Sequence, residues 1–151
     1  MCTEPVVLPD PSPFGAGETR ESHVHLDPVP ASVAIARTFV REALPDVSPE
    51  LLDTVILLTS ELVTNAILHA RTPVIVAMVQ DDDRLMVAVD DRVPAEQGLE
   101  PRSWSRDRPG GRGLALVADL SDQWGTRTHS GGKSVWFVLP LTSAAESVSV
   151  S

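Results

Sequence analysis

Residues 50–70 read ELLDTVILLTSELVTNAILHA. At 3.6 residues per turn, Leu52, Val55, Ile56, Leu62, Val63, Ala66, Ile67 and Ala70 fall on one broad apolar arc, as in a long helix laid against a core. Glu61 and Asn65 stand near the opposite edge of that arc. Their i, i+4 spacing stacks a carboxylate above an amide, so the two side chains can address one small object between them. Most exposed Glu and Asn residues are only a solvated helix face. Any further meaning for this pair has to come from the rest of the chain.

Working outward, Ser48 is placed to cap the helix and Pro49 to occupy its first turn, which satisfies orphan amides and fixes the entry angle. Upstream, Val33, Ala36, Phe39, Val40 and Leu44 recur at helical spacing over residues 31–44, a first helix stopped before Pro45. Residues 23–26 alternate as a short strand. Residues 1–22, MCTEPVVLPDPSPFGAGETRES, have the Pro, Gly and Ser content of a disordered leader. Downstream, Pro73 ends the helix region. Residues 74–80 and 85–90 are rich in β-branched side chains, and Asp81, Asp82 and Asp83 between them read as a hairpin turn. Residues 92–112, RVPAEQGLEPRSWSRDRPGGR, have many breakers and no periodicity, and a loop of that length points to function. A short helix over 113–120 precedes strands over 123–128 and 134–139, joined across Ser130, Gly131 and Gly132. The expected architecture is an α+β two-layer sandwich, a mixed and mostly antiparallel sheet with helices on one face. One domain spans residues 23–142, and residues 143–151 form a flexible tail.

At 151 residues the chain has room for one domain with a real core. Its formal net charge of -9 argues against a nucleic-acid partner, because phosphate-backbone binders cluster Lys and Arg. Lys133 is the only lysine. The single cysteine, Cys2, can form no internal disulfide. The acidic N-terminus is no signal peptide, no apolar run is expected to approach membrane-spanning length, and a cytoplasmic location is expected.

Two further segments join Glu61 and Asn65 as carriers of chemistry. Asp90 and Asp91 close a strand, and GGRGLALV, residues 110–117, sets glycines immediately before a helix. Glycines there let backbone approach a phosphate, and the helix N-terminus supplies exposed amides and favourable potential. Alone, such a cluster can also be a flexible helix entry. His69 near the long helix's end suits the C-terminal dipole, and His23, His25 and His129 have no metal-ligand spacing. Trp124 and Trp136, on expected strands, read as core aromatics. Trp104 in the long loop is a packing anchor or a partner contact.

Taken together these segments resemble the ATP-binding domains shared by sensor histidine kinases, gyrase-type ATPases and anti-sigma factor serine kinases. ELVTNAILHA resembles that superfamily's N-box, VAVDDRVP its adenine-binding strand end and GGRGLALV its second glycine box. WGTRTHSGGKSVWFVLP resembles the closing strands of the single-domain anti-sigma kinases. The resemblance implies ATP held between the long helix, the glycine-rich lid and the sheet, with Asn65 coordinating Mg²⁺ and Glu61 acting as general base toward a hydroxyl. It implies an adenine-reading aspartate, for which Asp91 is chosen on register with Asp90 in reserve. In that register Val93 and Ala95 replace two family glycines and Pro94 falls where this branch often has proline. Gly111, Gly113 and Leu114 match the lid, Arg112 is a candidate phosphate contact, and Arg102, Arg106 and Arg108 share its loop. Ser134, preceded by Lys133, stands where the family has a hydroxyl near the adenine.

The implied activity is that of a serine/threonine protein kinase of the anti-sigma type, with a small anti-anti-sigma protein as substrate, a sigma factor as second partner and a homodimer as a common state. A histidine kinase would need a phosphate-accepting helical segment upstream, which the leader does not resemble. The altered glycines favour, as alternative, a non-catalytic nucleotide-dependent protein-binding module.

Overall fold

The computed structural model describes residues 18–92, 111–129 and 131–141. Eight elements follow in chain order: β1 (Arg20–Leu26), α1 (Ser32–Ala43), α2 (Pro49–Ala70), β2 (Val74–Gln80), β3 (Arg84–Asp91), α3 (Gly111–Leu120), β4 (Gln123–His129) and β5 (Gly132–Pro140). The strands form one sheet in the order β1-β2-β3-β5-β4. Every ladder among the described residues is antiparallel. The α+β two-layer arrangement is the expected one, and its sheet contains no parallel pair among these residues.

Local chemistry accounts for the boundaries. Ser48 Oγ accepts from the Leu51 amide at 3.2 Å and Pro49 begins α2, so one orphan donor is satisfied and another is absent. The helix ends at Arg71, which takes a left-handed conformation (φ 56°), the only non-glycine residue with positive φ among those described. In the β2–β3 turn, Asp81 Oδ1 accepts from the amides of Asp83 and Arg84, each at 2.7 Å, an aspartate-built turn as the acidic run suggested. Strand β1 starts at Arg20, three residues ahead of the sequence expectation, because it pairs with β2 from Arg20↔Gln80 to Leu26↔Val74. Pairing of that kind leaves little trace in local composition.

The core lies between the sheet and the helices. Leu26, Val76, Val87, Val89, Phe137 and Leu139 from the strands meet Ala36 and Val40 of α1 and Val55, Leu58, Leu62 and Val63 of α2. A second, smaller cluster, Val79, Met86 and Val138 with Trp136, lies on the sheet's other face. Strand β2 is therefore buried at every position, which is why VIVAMVQ reads as a continuous apolar run and not as an alternation. Trp136 passes over Gly125, where a Cβ would stand 2.7 Å from the indole ring. Trp124, by contrast, is 41% exposed on the edge strand, a correction to its expected place in the core. A second correction concerns α2. Pro49–His69 is long and apolar enough, by length and composition, to cross a membrane. Its apolar side is instead spent on packing against β2, β3, α1 and α3.

Candidate functional site

Glu61 and Asn65 sit one turn apart on α2, both half-buried, beside the fully buried Leu62 and Val63. Asn65 Oδ1 is buried and has no hydrogen-bond partner among the described residues. A buried acceptor left unsatisfied costs about 1–3 kcal/mol, so an amide oxygen held this way is suited to a ligand donor or a cation. Among the described residues, the other buried side-chain oxygen without a partner is Thr59 Oγ1. Thr59 lies between Val55 and Val63 on the core-facing side of α2, away from the Glu61–Asn65 stripe.

The sheet contributes the end of β3. Here the structure separates two adjacent aspartates that the sequence left as alternatives. Pairing with β5 runs Val87↔Phe137, Val89↔Val135 and Asp91↔Lys133 on one face, and Met86↔Val138, Ala88↔Trp136 and Asp90↔Ser134 on the other. Val87, Val89 and Phe137 belong to the core shared with the helices. Asp91 therefore shares the helix-side face, and Lys133 lies in register with it. Both are buried, at 5% and 8% exposure. Burial pushes the Lys133 ammonium below its ordinary 10.5, and the Asp91 charge opposes that shift. The exit from β3 is anchored to the end of α2, because the Arg92 amide donates to Thr72 Oγ1 at 2.9 Å. That bond fixes the strand end carrying Asp91 beside the turn that follows the helix of Glu61 and Asn65.

Ser134 is not part of this grouping. Its hydroxyl donates to Asp90 Oδ1 at 2.7 Å, with both side chains buried on the face away from the helices. Ser134 thus lies on the sheet face away from Asp91, and the residue in register with Asp91 is Lys133. A period-two reading anchored on Phe137 carried the signal, since Lys133 and Val135 share its parity whereas Ser134 shares that of Trp136.

The glycines also fall differently. Helix α3 begins at Gly111, so Gly111, Arg112, Gly113 and Leu114 form its first turn, where the sequence started the helix at Gly113 and left Gly111 and Arg112 ahead of it. The helix packs against α2 and β4. Val93, Pro94, Ala95, Arg102, Trp104, Arg106 and Arg108 lie outside the described residues. Gly132 has a structural task at this end of the sheet, because a Cβ there would stand 1.9 Å from the Asp91 carbonyl oxygen.

The model of the histidine kinase-like ATPase domain matches residues 26–139, well over half of the chain. The chain belongs to that family. This family assignment matches the resemblance carried by the long helix, the strand-end aspartate and the glycine box. Among solved structures, the RsbU and RsbW domains of Rv1364c from Mycobacterium tuberculosis are similar, with a TM-score of 0.61 and 21% identity over 81% of this chain and 32% of that one. The chain thus spans about a third of the length of the protein it matches, and the likeness is one of fold. A search of curated protein sequences returns no match.

Proposed function

We propose that this histidine kinase-like ATPase domain binds ATP with Mg²⁺ and acts as a regulatory serine/threonine protein kinase of the anti-sigma type. The observation that carries the reading is the buried Oδ1 of Asn65, without a hydrogen-bond partner among the described residues, one turn from the half-buried Glu61 on α2. Asn65 supplies an oxygen of the class that magnesium takes together with substrate phosphates. Magnesium, when bound, neutralises charge on the phosphates. Asp91, on the helix-side face, accepts the amino group of the base. Gly111, Gly113 and Leu114, with Arg112, open the helix assigned to the phosphates. Glu61 receives the proton of an incoming serine or threonine hydroxyl.

The proposed substrate is a small anti-anti-sigma protein, with a sigma factor as second partner, a homodimer as the working state and regulation of transcription in the cytoplasm as the setting. In the second reading, a nucleotide-dependent binding module, Val93 and Ala95 in place of glycines favour loss of chemistry. Titration with ATP, with and without Mg²⁺, and phosphoryl transfer to a captured partner separate the two readings. Glu61→Ala should abolish transfer and leave ATP affinity within about threefold, as removal of a base requires. Undiminished transfer by that variant overturns the role of Glu61. An absence of any ATP binding by the unaltered protein overturns both readings.

A further inference from the structure

The only lysine in the chain is not on the surface. Lys133 is 8% exposed, opposite Asp91 in the β3–β5 ladder, on the face of the sheet that packs against the helices. Lysine is almost never buried to this degree without a task, because transferring an ammonium out of water is costly. A counter-charge for Asp91 is part of that task, since the two charges interact. The chemistry of the pair goes further. A carboxylate only accepts, an ammonium only donates and carries three protons, and cross-strand partners in register have Cβ atoms about 4.5–5.5 Å apart. Asp91 and Lys133 therefore offer an acceptor and a donor side by side. The edge of adenine offers the complement, an amino donor on C6 next to the N1 acceptor.

We propose that Lys133 is a second base-reading residue, donating to adenine N1 while Asp91 accepts from the amino group. The proposal rests on the reading of Asp91 as the adenine ligand. It makes the site specific for an amino group at C6 beside a bare ring nitrogen. A 6-oxo purine presents the reverse order of donor and acceptor and sets a carbonyl against the Asp91 carboxylate.

The test compares binding of ATP and 1-deaza-ATP, in which N1 is replaced by CH, to the unaltered full chain and to Lys133→Met, by isothermal titration. The unaltered protein should prefer ATP about tenfold or more, the scale of one hydrogen bond to a charged group. Lys133→Met should lose that preference, falling to the affinity for 1-deaza-ATP that the unaltered protein shows. If the methionine variant fails to fold, Lys133→Gln keeps a neutral donor, and its preference should fall to about half that of lysine on a logarithmic scale, as for neutral against charge-assisted hydrogen bonds. Equal losses for both nucleotides on substitution would show a counter-ion for Asp91 and overturn the proposal. Failure of the unaltered chain to bind either nucleotide would instead remove the functional reading itself, and this inference with it.

Discussion

Asp90 and Asp91 are neighbours in sequence and have opposite situations in the fold. Asp90 points to the sheet face away from the helices, where it accepts from Ser134. Asp91 points to the helix-side face, opposite a buried lysine. Both carboxylates are almost fully buried. What separates them is the two-residue period of a strand, which turns successive side chains to opposite faces. The one carboxylate is answered by a neutral hydroxyl, whereas the other is set beside an ammonium at the strand end joined to α2, where the proposed function has it read the base.

The sharpest way to break this contrast is to remove one charge at a time. Asp91→Asn should cost ATP binding about a hundredfold, close to 3 kcal/mol, as for a hydrogen bond to a buried charge. Asp90→Asn should leave ATP affinity within about twofold, since the buried carboxylate it alters points to the sheet face away from the nucleotide on this reading. Titration of the two variants side by side decides the matter, and comparable losses would erase the distinction between the faces.

Gly132→Ala acts on the frame that holds both aspartates. Its Cβ would meet the Asp91 carbonyl oxygen at 1.9 Å, so β3 and β5 must move apart. A loss of about 2 kcal/mol in denaturant unfolding is expected, within the usual range for overpacking. Unchanged stability would mean that the strand ends are less tightly paired than described.

Ser134→Ala tests the other face. It withdraws a donor from buried Asp90 at a cost of about 1 kcal/mol, with ATP affinity unchanged. A loss of ATP affinity without a loss of stability would return Ser134 to the site.

The smallest effect concerns pH. Burial pushes Lys133 below 10.5, so over the alkaline window beneath that value the unfolded chain holds a proton that the folded chain has begun to release. Stability from this group therefore rises as pH climbs toward 10.5. Lys133→Met should flatten that rise, read from denaturant titrations at several alkaline pH values. An identical pH dependence in the variant would place the lysine closer to water than its burial indicates.

Much of the fold was legible because its signals are local. The cap at Ser48, the apolar arc of α2 and the Asp81 turn each act within a few residues, and the structure bears them out. The i, i+4 stacking of Glu61 and Asn65 was legible for the same reason. Trp124 was misread because strand propensity does not reveal which strand lies at an edge. The apolar length of α2 reads the same for a core helix and a membrane span until its neighbours are known.

The sequence by itself determined the elements, the two-layer class and the stacked carboxylate and amide, since these depend on periodicity, caps and turn chemistry. Only the tertiary structure decided which aspartate faces the helices, that Asn65 Oδ1 is buried without a partner among the described residues, and that Lys133 rather than Ser134 stands opposite Asp91. The physical reason is that register between strands distant in sequence follows from how all their side chains pack at once, and a shift of one residue exchanges the two faces.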